Sequence, residues 1–102
     1  MGYSVTVVEV RQTEQFDLWF RGLRDRRARA RILARIRRLS LGNPGDVGAV
    51  GEGVLEMRID VGPGYRVYFV WRGAGRVVLL TGGDKASQRR DIEEARRLAG
   101  NL

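Results

Sequence analysis

The sequence predicts an α+β protein with two layers, in which an antiparallel meander packs against an N-terminal pair of helices. Three runs rich in β-branched and aromatic residues follow one another over residues 54–85, and glycine turns at 62–64 and 73–75 separate them. Before them, apolar residues recur at helical spacing in two consecutive segments. The element order is therefore expected to be β-α-α-β-β-β-α, in one domain spanning residues 1–102.

The elements before the meander follow from their boundary residues. Imperfect alternation predicts a first strand over residues 3–10. Thr13 can cap a first helix and Asp25 a second, since both side chains accept hydrogen bonds from free helix N–H groups. The second helix is expected to stop at residues 41–45, where glycine and proline occur. Five glycines and a proline within residues 42–53 predict a surface loop.

Period-two alternation sorts the side chains of the meander onto two faces. The apolar face is expected to hold Leu55, Met57, Ile59, Tyr65, Val67, Phe69 and Trp71. The polar face gathers Glu56, Arg58, Arg66 and Tyr68. With the helical pair on the apolar face, the opposite face is expected to stay open to solvent or a ligand. Ser87 is placed to cap a third helix over residues 88–100.

Composition excludes several kinds of chemistry. The chain has no cysteine and no histidine, so disulfides, thiolate ligands and imidazole acid–base catalysis are unavailable. No apolar run approaches the ~20 residues of a membrane span, and the first residues do not resemble a signal peptide. The sequence therefore predicts a cytoplasmic protein that works without a metal or other cofactor.

The positive charge is concentrated in one segment. Residues 21–38 contain nine arginines and a single acid, whereas the rest of the chain contains ten basic and eleven acidic residues. Such a patch favours a polyanion, above all nucleic acid, or an acidic protein. The candidate nucleic-acid contacts are Arg27, Arg31, Arg35 and Arg38. The alternative is a solvated helix face whose arginine stems cover apolar residues.

The polar face and the turn after it carry the candidate catalytic residues: Glu56, Arg58, Arg66, Tyr68 and Lys85. Two arginines on neighbouring strands repel unless an anion or Glu56 lies between them. For RNA cleavage, arginine and lysine can neutralise the phosphate, Glu56 can act as base, and Tyr68 or Lys85 can donate a proton if nearby positive charge lowers its pKa. The alternation alone leaves open whether these groups converge or are ordinary solvent-facing residues.

The glycine turn at residues 82–87 is a second candidate. Glycines before a helix start can offer free N–H groups to a phosphate. The turn lacks the full P-loop pattern, so nucleoside triphosphate binding is not expected. Lys85 is the only lysine of the chain.

Three segments together resemble a known family. They are Phe-Asp-x-Trp-Phe at 16–20, Leu-Glu-Met-Arg-Ile at 55–59 leading to Gly-Pro-Gly-Tyr-Arg-Val-Tyr-Phe at 62–69, and Leu-Leu-x-Gly-Gly-Asp-Lys at 79–85 with Gln88 and Asp-Ile at 91–92. The chain resembles the RelE/ParE superfamily of type II toxin–antitoxin toxins, over roughly residues 3–98. It is most similar to the phage Gp49-like or HigB-like branch, the addiction module killer proteins.

The resemblance implies a small toxin with a RelE-like fold and a cognate antitoxin, typically a helix-turn-helix protein. In the RelE-like branch the toxin enters the ribosome and cuts mRNA with basic residues of the sheet. Arg66 matches such a position, followed by Arg58 and Lys85. The catalytic tyrosine that the resemblance implies in the last helix corresponds to about Ile92, and Tyr68 is the candidate to replace its phenol.

The resemblance leaves three functions open. The first is a ribosome-dependent mRNA endonuclease that arrests translation. The second is a ParE-like poison of DNA gyrase without enzymatic activity. The third is an inactive RNA-binding module that works through its arginine helix.

Overall fold

A computed structural model of the chain describes residues 7–102. Three helices and five strands form one α+β unit, in the order β1 (Glu9–Gln12), α1 (Glu14–Arg21), α2 (Arg26–Ser40), β2 (Val47–Gly51), β3 (Val54–Ile59), β4 (Tyr65–Trp71), β5 (Arg76–Gly83) and α3 (Gln88–Gly100).

The helices begin where the capping residues predict. The Thr13 hydroxyl accepts a hydrogen bond from the Phe16 N–H at 3.0 Å, and the Asp25 carboxylate accepts one from the Ala28 N–H at 3.1 Å. Helix α2 ends at Ser40, and Gly42 then takes a φ of 89° that suits glycine after a helix. Helix α3 follows Ser87, as expected, although the Ser87 side chain makes no capping bond.

The five strands form a single mixed sheet in the order β1-β5-β4-β3-β2. Strands β2 to β5 are antiparallel neighbours, whereas β1 runs parallel to β5 at the edge. The first strand was expected over residues 3–10, but the observed strand spans Glu9–Gln12, so only residues 9 and 10 are common to both, and residues 7 and 8 precede the strand. Residues 3–6 of the expected strand lie outside the described part.

Strand β2 corrects the loop expected over residues 42–53. Val47–Gly51 pairs with β3, and Glu52 and Gly53 connect the two strands with φ values of 57° and 81°. Two consecutive positive φ values in a two-residue connection are typical of a tight hairpin turn. The glycines concealed this strand because they carry no side chain that could show alternation.

Helices cover both faces of the sheet. Phe16, Ile32 and Leu39 of α1 and α2 pack on the face that holds Met57 and Phe69. Ala95 and Ala99 of α3 pack on the other face, where the buried residues of the sheet are Val54, Tyr68, Val70, Val78 and Leu80. The polar face is thus partly covered rather than open, because even-numbered positions of β3 and β4 also carry apolar residues.

Period-two alternation did not predict the exposure of Trp71 or the register at the end of β5. Trp71, expected in the core, ends β4 and is 40% exposed. Leu80 lies on the α3 face with Val78, and a bulge at Leu80, opposite Tyr68 and Phe69, shifts the register so that Thr81 becomes the partner of Tyr68. In residues 7–102 no helix is both long and apolar enough to cross a membrane.

Candidate functional site

Strands β3 and β4 place two arginines side by side. Arg58 and Arg66 are direct partners in the register, and Glu56 is the partner of Tyr68 two positions away. All four side chains lie on the face of the sheet that α3 partly covers. The convergence that the alternation left open is therefore present, and its centre is Glu56.

Glu56 is a buried carboxylate, only 1% exposed. Its Oε2 atom accepts hydrogen bonds from the Tyr68 hydroxyl at 3.0 Å and from Nε2 of Gln88 at 2.9 Å. Its Oε1 atom lies 3.4 Å from Nε of Arg58 and 3.8 Å from an Nη atom of Arg66. A buried charge requires partners of this kind, because desolvation without them costs several kcal/mol.

Because its carboxylate is buried, Glu56 is poorly placed to act as the general base. A base must approach the proton that it removes to within hydrogen-bonding distance. Both oxygens of Glu56 face neighbouring side chains of the protein instead. The geometry favours a role in orienting the two arginines.

Tyr68 does not meet the condition set for a proton donor. It is fully buried, and burial, followed by the negative charge of Glu56, raises the pKa of its hydroxyl above the usual value. The expectation of a lowered pKa is therefore wrong for this residue. Its proton is already engaged in the hydrogen bond to Glu56.

Arg66 has an unused hydrogen-bond donor. Its side chain is only 14% exposed, and its buried Nε–H finds no acceptor within residues 7–102. A buried donor without a partner costs about 1–3 kcal/mol. An anion in the groove would contact the exposed part of the Arg66 guanidinium rather than its buried Nε–H.

Arg58 is more accessible, with 41% of its side chain exposed. It forms an exposed ion pair with Asp46 at 3.1 Å. The guanidinium lies across Gly48 of β2, where any Cβ atom would collide with it. Gly48 therefore provides the space in which Arg58 lies.

Lys85 completes the cluster at the rim. It is exposed, and no ion pair to it occurs in the described part of the chain. The groove between these side chains has a volume of about 330 Å³, and its lining residues are Asp46, Arg58, Ile59, Asp60, Gly64, Arg66 and Lys85.

Sequence reasoning missed Asp46 and Asp60 as groove residues. Asp46 stands just before β2, in the segment that was expected to be a loop. Asp60 follows β3 and is exposed. Asp46 lies next to Arg58 because β2 pairs with β3, and this pairing was not predicted from the sequence. These two carboxylates are the exposed bases of the groove.

The turn at residues 82–87 is not a phosphate site. Gly82 and Gly83 belong to β5. The Asp84 carboxylate accepts hydrogen bonds from the N–H groups of Ala86 and Ser87, at 2.9 and 3.2 Å. These amides, which were expected to bind a phosphate, already have an acceptor.

The arginines of α2 form a separate surface on the other side of the sheet. Arg27, Arg31 and Arg38 are exposed. Arg35 is not part of that surface, since it donates hydrogen bonds to the carbonyl oxygens of Arg58 at 2.5 Å, Pro44 at 3.1 Å and Asp46 at 3.3 Å. Burial lowers the pKa of Arg35 below its usual value. Arg35 thus anchors the segment before β2.

Among residues 7–102, no group of three or more His, Cys, Asp or Glu side chains is arranged to hold a metal ion. The groove is therefore a site of guanidinium, ammonium and carboxylate groups. It can bind an anion and stabilise negative charge that develops on it.

Comparisons with known proteins match this chain to a protein family and to a bacterial relative. Residues 18–99 match the family described as "Phage derived protein Gp49-like (DUF891)". A protein of Haemophilus influenzae, described as an uncharacterized protein, is 46% identical over 95 residues. That match covers 93% of this chain and 96% of the relative.

Proposed function

This chain belongs to the phage-derived Gp49-like family, and we propose that it is the toxin of a type II toxin–antitoxin system. Its activity is that of a ribosome-dependent mRNA endonuclease, and a cognate antitoxin, a helix-turn-helix protein, neutralises it. The toxin-like character of the family supports the first part. The observation that carries the second is the groove itself, which brings the guanidinium groups of Arg58 and Arg66 and the side chain of Lys85 together.

The reaction is cleavage of RNA by its own 2′-hydroxyl. The O2′ atom attacks the adjacent phosphorus, the O2′–P bond forms and the P–O5′ bond breaks, which leaves a 2′,3′-cyclic phosphate and a free 5′-hydroxyl. Arg66 and Arg58 stabilise the additional negative charge on the phosphoryl oxygens, the role in which fixed cations contribute most.

Two proton transfers complete the balance. Asp46 accepts the proton of the 2′-hydroxyl, since its carboxylate is exposed and its ion pair with Arg58 places it beside the phosphate that Arg58 binds. Lys85 donates a proton to the departing O5′ atom, because it is the exposed cation of the rim. Glu56 and Tyr68 stay behind the arginines and take no proton.

A ribosome supplies what the groove lacks. The site is a groove at the protein surface, and a free RNA would have to reach the in-line arrangement of O2′, phosphorus and O5′ by its own motion. Alignment of reacting groups contributes several kcal/mol to catalysis. A decoding centre that holds the mRNA codon in a fixed conformation provides that alignment. The exposed arginines of α2 can contact ribosomal RNA from the opposite side of the protein.

Growth arrest tests this proposal in cells. Arg66→Ala removes the buried guanidinium and is expected to abolish arrest, since the loss of one such charge-stabilising group lowers rates by about 10²–10³. Arg76→Ala is the matched control, because Arg76 is also an arginine of the sheet but lies at the far end of β5. The control is expected to arrest growth like the wild type, and co-expressed antitoxin is expected to restore growth.

The order in which cellular processes fail separates the alternatives. The proposal predicts that incorporation of labelled methionine stops before DNA supercoiling changes. Early loss of supercoiling with ongoing translation would identify a gyrase poison instead. Full toxicity of a folded Arg66→Ala protein would contradict the proposed site.

The arginine surface of α2 supports one further candidate, an RNA-binding module without catalysis. Arg27, Arg31 and Arg38 are exposed, and none forms an ion pair within the described residues. Replacing all three with glutamine distinguishes the two functions. Loss of RNA binding and of toxicity in this triple variant, with no effect of Arg66→Ala, would favour the binding module.

A further inference from the structure

The buried side of the groove connects the two arginines to helix α3. We propose that Gln88, the first residue of α3, is a positioning residue that, together with Tyr68, holds the Glu56 carboxylate so that its second oxygen orients Arg58 and Arg66. The catalytic consequence of this arrangement rests on the function proposed above, whereas the arrangement itself does not.

The two oxygens of the Glu56 carboxylate have different partners. Both neutral donors, Gln88 and Tyr68, bind the same atom, Oε2, at 2.9 and 3.0 Å. The other atom, Oε1, faces only the two guanidinium groups. Rotation of the carboxylate would break both bonds at Oε2, so these donors fix the direction in which Oε1 points.

The charges of the four groups explain why the two donors are neutral. A lysine or arginine at position 88 would compete with Arg58 and Arg66 for the single negative charge of Glu56. The amide of Gln88 satisfies one oxygen without adding a charge. The whole attraction of the carboxylate therefore remains directed at the two arginines.

The distances show that Glu56 orients the arginines without occupying them. Oε1 lies 3.4 Å from Arg58 and 3.8 Å from Arg66, too far for strong hydrogen bonds to both. The buried Nε–H of Arg66 is free of any acceptor in the described chain. The guanidinium groups are thus held in place, and the exposed part of each remains available to a ligand.

The packing of α3 against β5 fixes the position of Gln88. A Cβ atom on Gly83 would collide with the Asp91 carboxylate, so this glycine allows the first turn of α3 to approach the sheet closely. Ser87 donates a hydrogen bond to Asp91 at 2.5 Å within that turn. Gln88 therefore reaches Glu56 from a rigid part of the fold.

The test follows the Arg66 Nε–H group directly by NMR of arginine-labelled protein. Gln88→Met keeps the length of the side chain and removes its donor. The bond that is lost joins Gln88 to the charged Glu56 carboxylate, and its loss lets the carboxylate and the neighbouring Arg66 move more freely. We therefore expect exchange of the buried Arg66 Nε–H with water to accelerate about tenfold, the effect of losing one hydrogen bond to a charged group. Tyr68→Phe removes the second donor with little change in volume, and we expect the same direction of change.

Gln12→Met is the matched control. Gln12 also donates a hydrogen bond to a carboxylate, that of Asp17 at 3.4 Å, but it lies on β1. The Arg66 signal is expected to be unchanged in this variant. An unchanged Arg66 signal in folded Gln88→Met, or in folded Tyr68→Phe if the first variant does not fold, would overturn the inference.

Cleavage kinetics separate the inference from the proposed function. On programmed ribosomes, Gln88→Met is expected to lower kcat about tenfold and leave KM within twofold, because the arginines act on the transition state. A raised KM with unchanged kcat would contradict a positioning role. If the wild-type protein cleaves no mRNA while the Arg66 signal still responds to Gln88→Met, the positioning stands and the endonuclease function fails.

Discussion

At the scale of single residues, the ionisation of Tyr68 offers a direct view of the buried network. Its pKa is raised in the folded protein, so the folded state retains the phenolic proton at a pH where the unfolded chain has lost it. The contribution of Tyr68 to stability should therefore be constant below about pH 10, the ordinary tyrosine value, and should fall as the pH rises above it.

Tyr68→Phe is expected to reduce this alkaline loss. Thermal unfolding of both proteins between pH 8 and pH 11 measures the effect. The wild type should lose more thermal stability over that range than the variant, since phenylalanine has no proton to release. Parallel curves for the two proteins would mean that burial and the charge of Glu56 do not hold the hydroxyl in its neutral form.

Gly48 shows how an absent side chain serves the groove. Gly48→Ala places a methyl group where the Arg58 guanidinium lies. The backbone at Gly48 does not have a positive φ, and the displaced atoms belong to the flexible end of an arginine. We expect a stability change within about 1 kcal/mol and a clear loss of activity.

Urea denaturation and a growth-arrest assay check the two halves of that prediction. Gly73→Ala is not a suitable control, because Gly73 has a positive φ of 61°. Gly100→Ala is suitable, since nothing lies within 4 Å of a Cβ atom there. Retained toxicity in Gly48→Ala would show that Arg58 does not need its present position.

At the scale of elements, Arg35 and Arg31 make opposite predictions although both belong to α2. Arg35 donates to three carbonyl oxygens and anchors the segment before β2. Arg35→Ala should lower the free energy of unfolding by roughly 2 kcal/mol, because charged donors contribute more than neutral ones. Arg31→Ala should change it by less than about 0.5 kcal/mol, as at an exposed position.

Chemical denaturation of the two variants is the measurement. A larger loss for Arg31→Ala than for Arg35→Ala would contradict the assignment of Arg35 to the fold. The prediction also separates two kinds of arginine that composition treats as one patch. Arg27, Arg31 and Arg38 stay candidates for nucleic-acid contact, whereas Arg35 has a structural task.

Most elements could be predicted from the sequence, because their signals are local. Thr13 and Asp25 mark their helices through short-range capping bonds, and the meander shows its turns. Strand β2 has no such signal, since its pairing depends on β3 rather than on its own glycine-rich residues. The position of α3 on the second face is likewise a tertiary result, decided by where Ala95 and Ala99 find apolar partners.

The candidate site was predictable only in part, since the residues of β3 and β4 were identified but Asp46, and the depth of each side chain, were not. Alternation places Glu56, Arg58, Arg66 and Tyr68 on one face, which the structure confirms. Alternation shows which face of the sheet a side chain lies on, but not how deeply the side chain is buried. In this site, burial determines which side chains can reach a ligand. Glu56 and Tyr68 lie beneath the groove and Arg58 and Lys85 at its rim, so a base and a proton donor have to be sought among the exposed residues.

At the scale of the whole molecule, the sheet separates two charged surfaces. The groove of Arg58, Arg66 and Lys85 lies on the α3 side, and the exposed arginines of α2 lie on the other side. Under the proposed function, the α2 surface would contact ribosomal RNA while the groove acts on mRNA.

The measurement that tests the central claim most directly is primer extension on a reporter mRNA in a reconstituted translation system, with and without ribosomes. The proposal predicts cuts at codon-phased positions only when ribosomes are present, unchanged cuts for Arg76→Ala, and cuts reduced about 10²-fold or more for Arg66→Ala and for Asp46→Asn. Intact mRNA under every condition, or equal cleavage by folded Arg66→Ala, would contradict it.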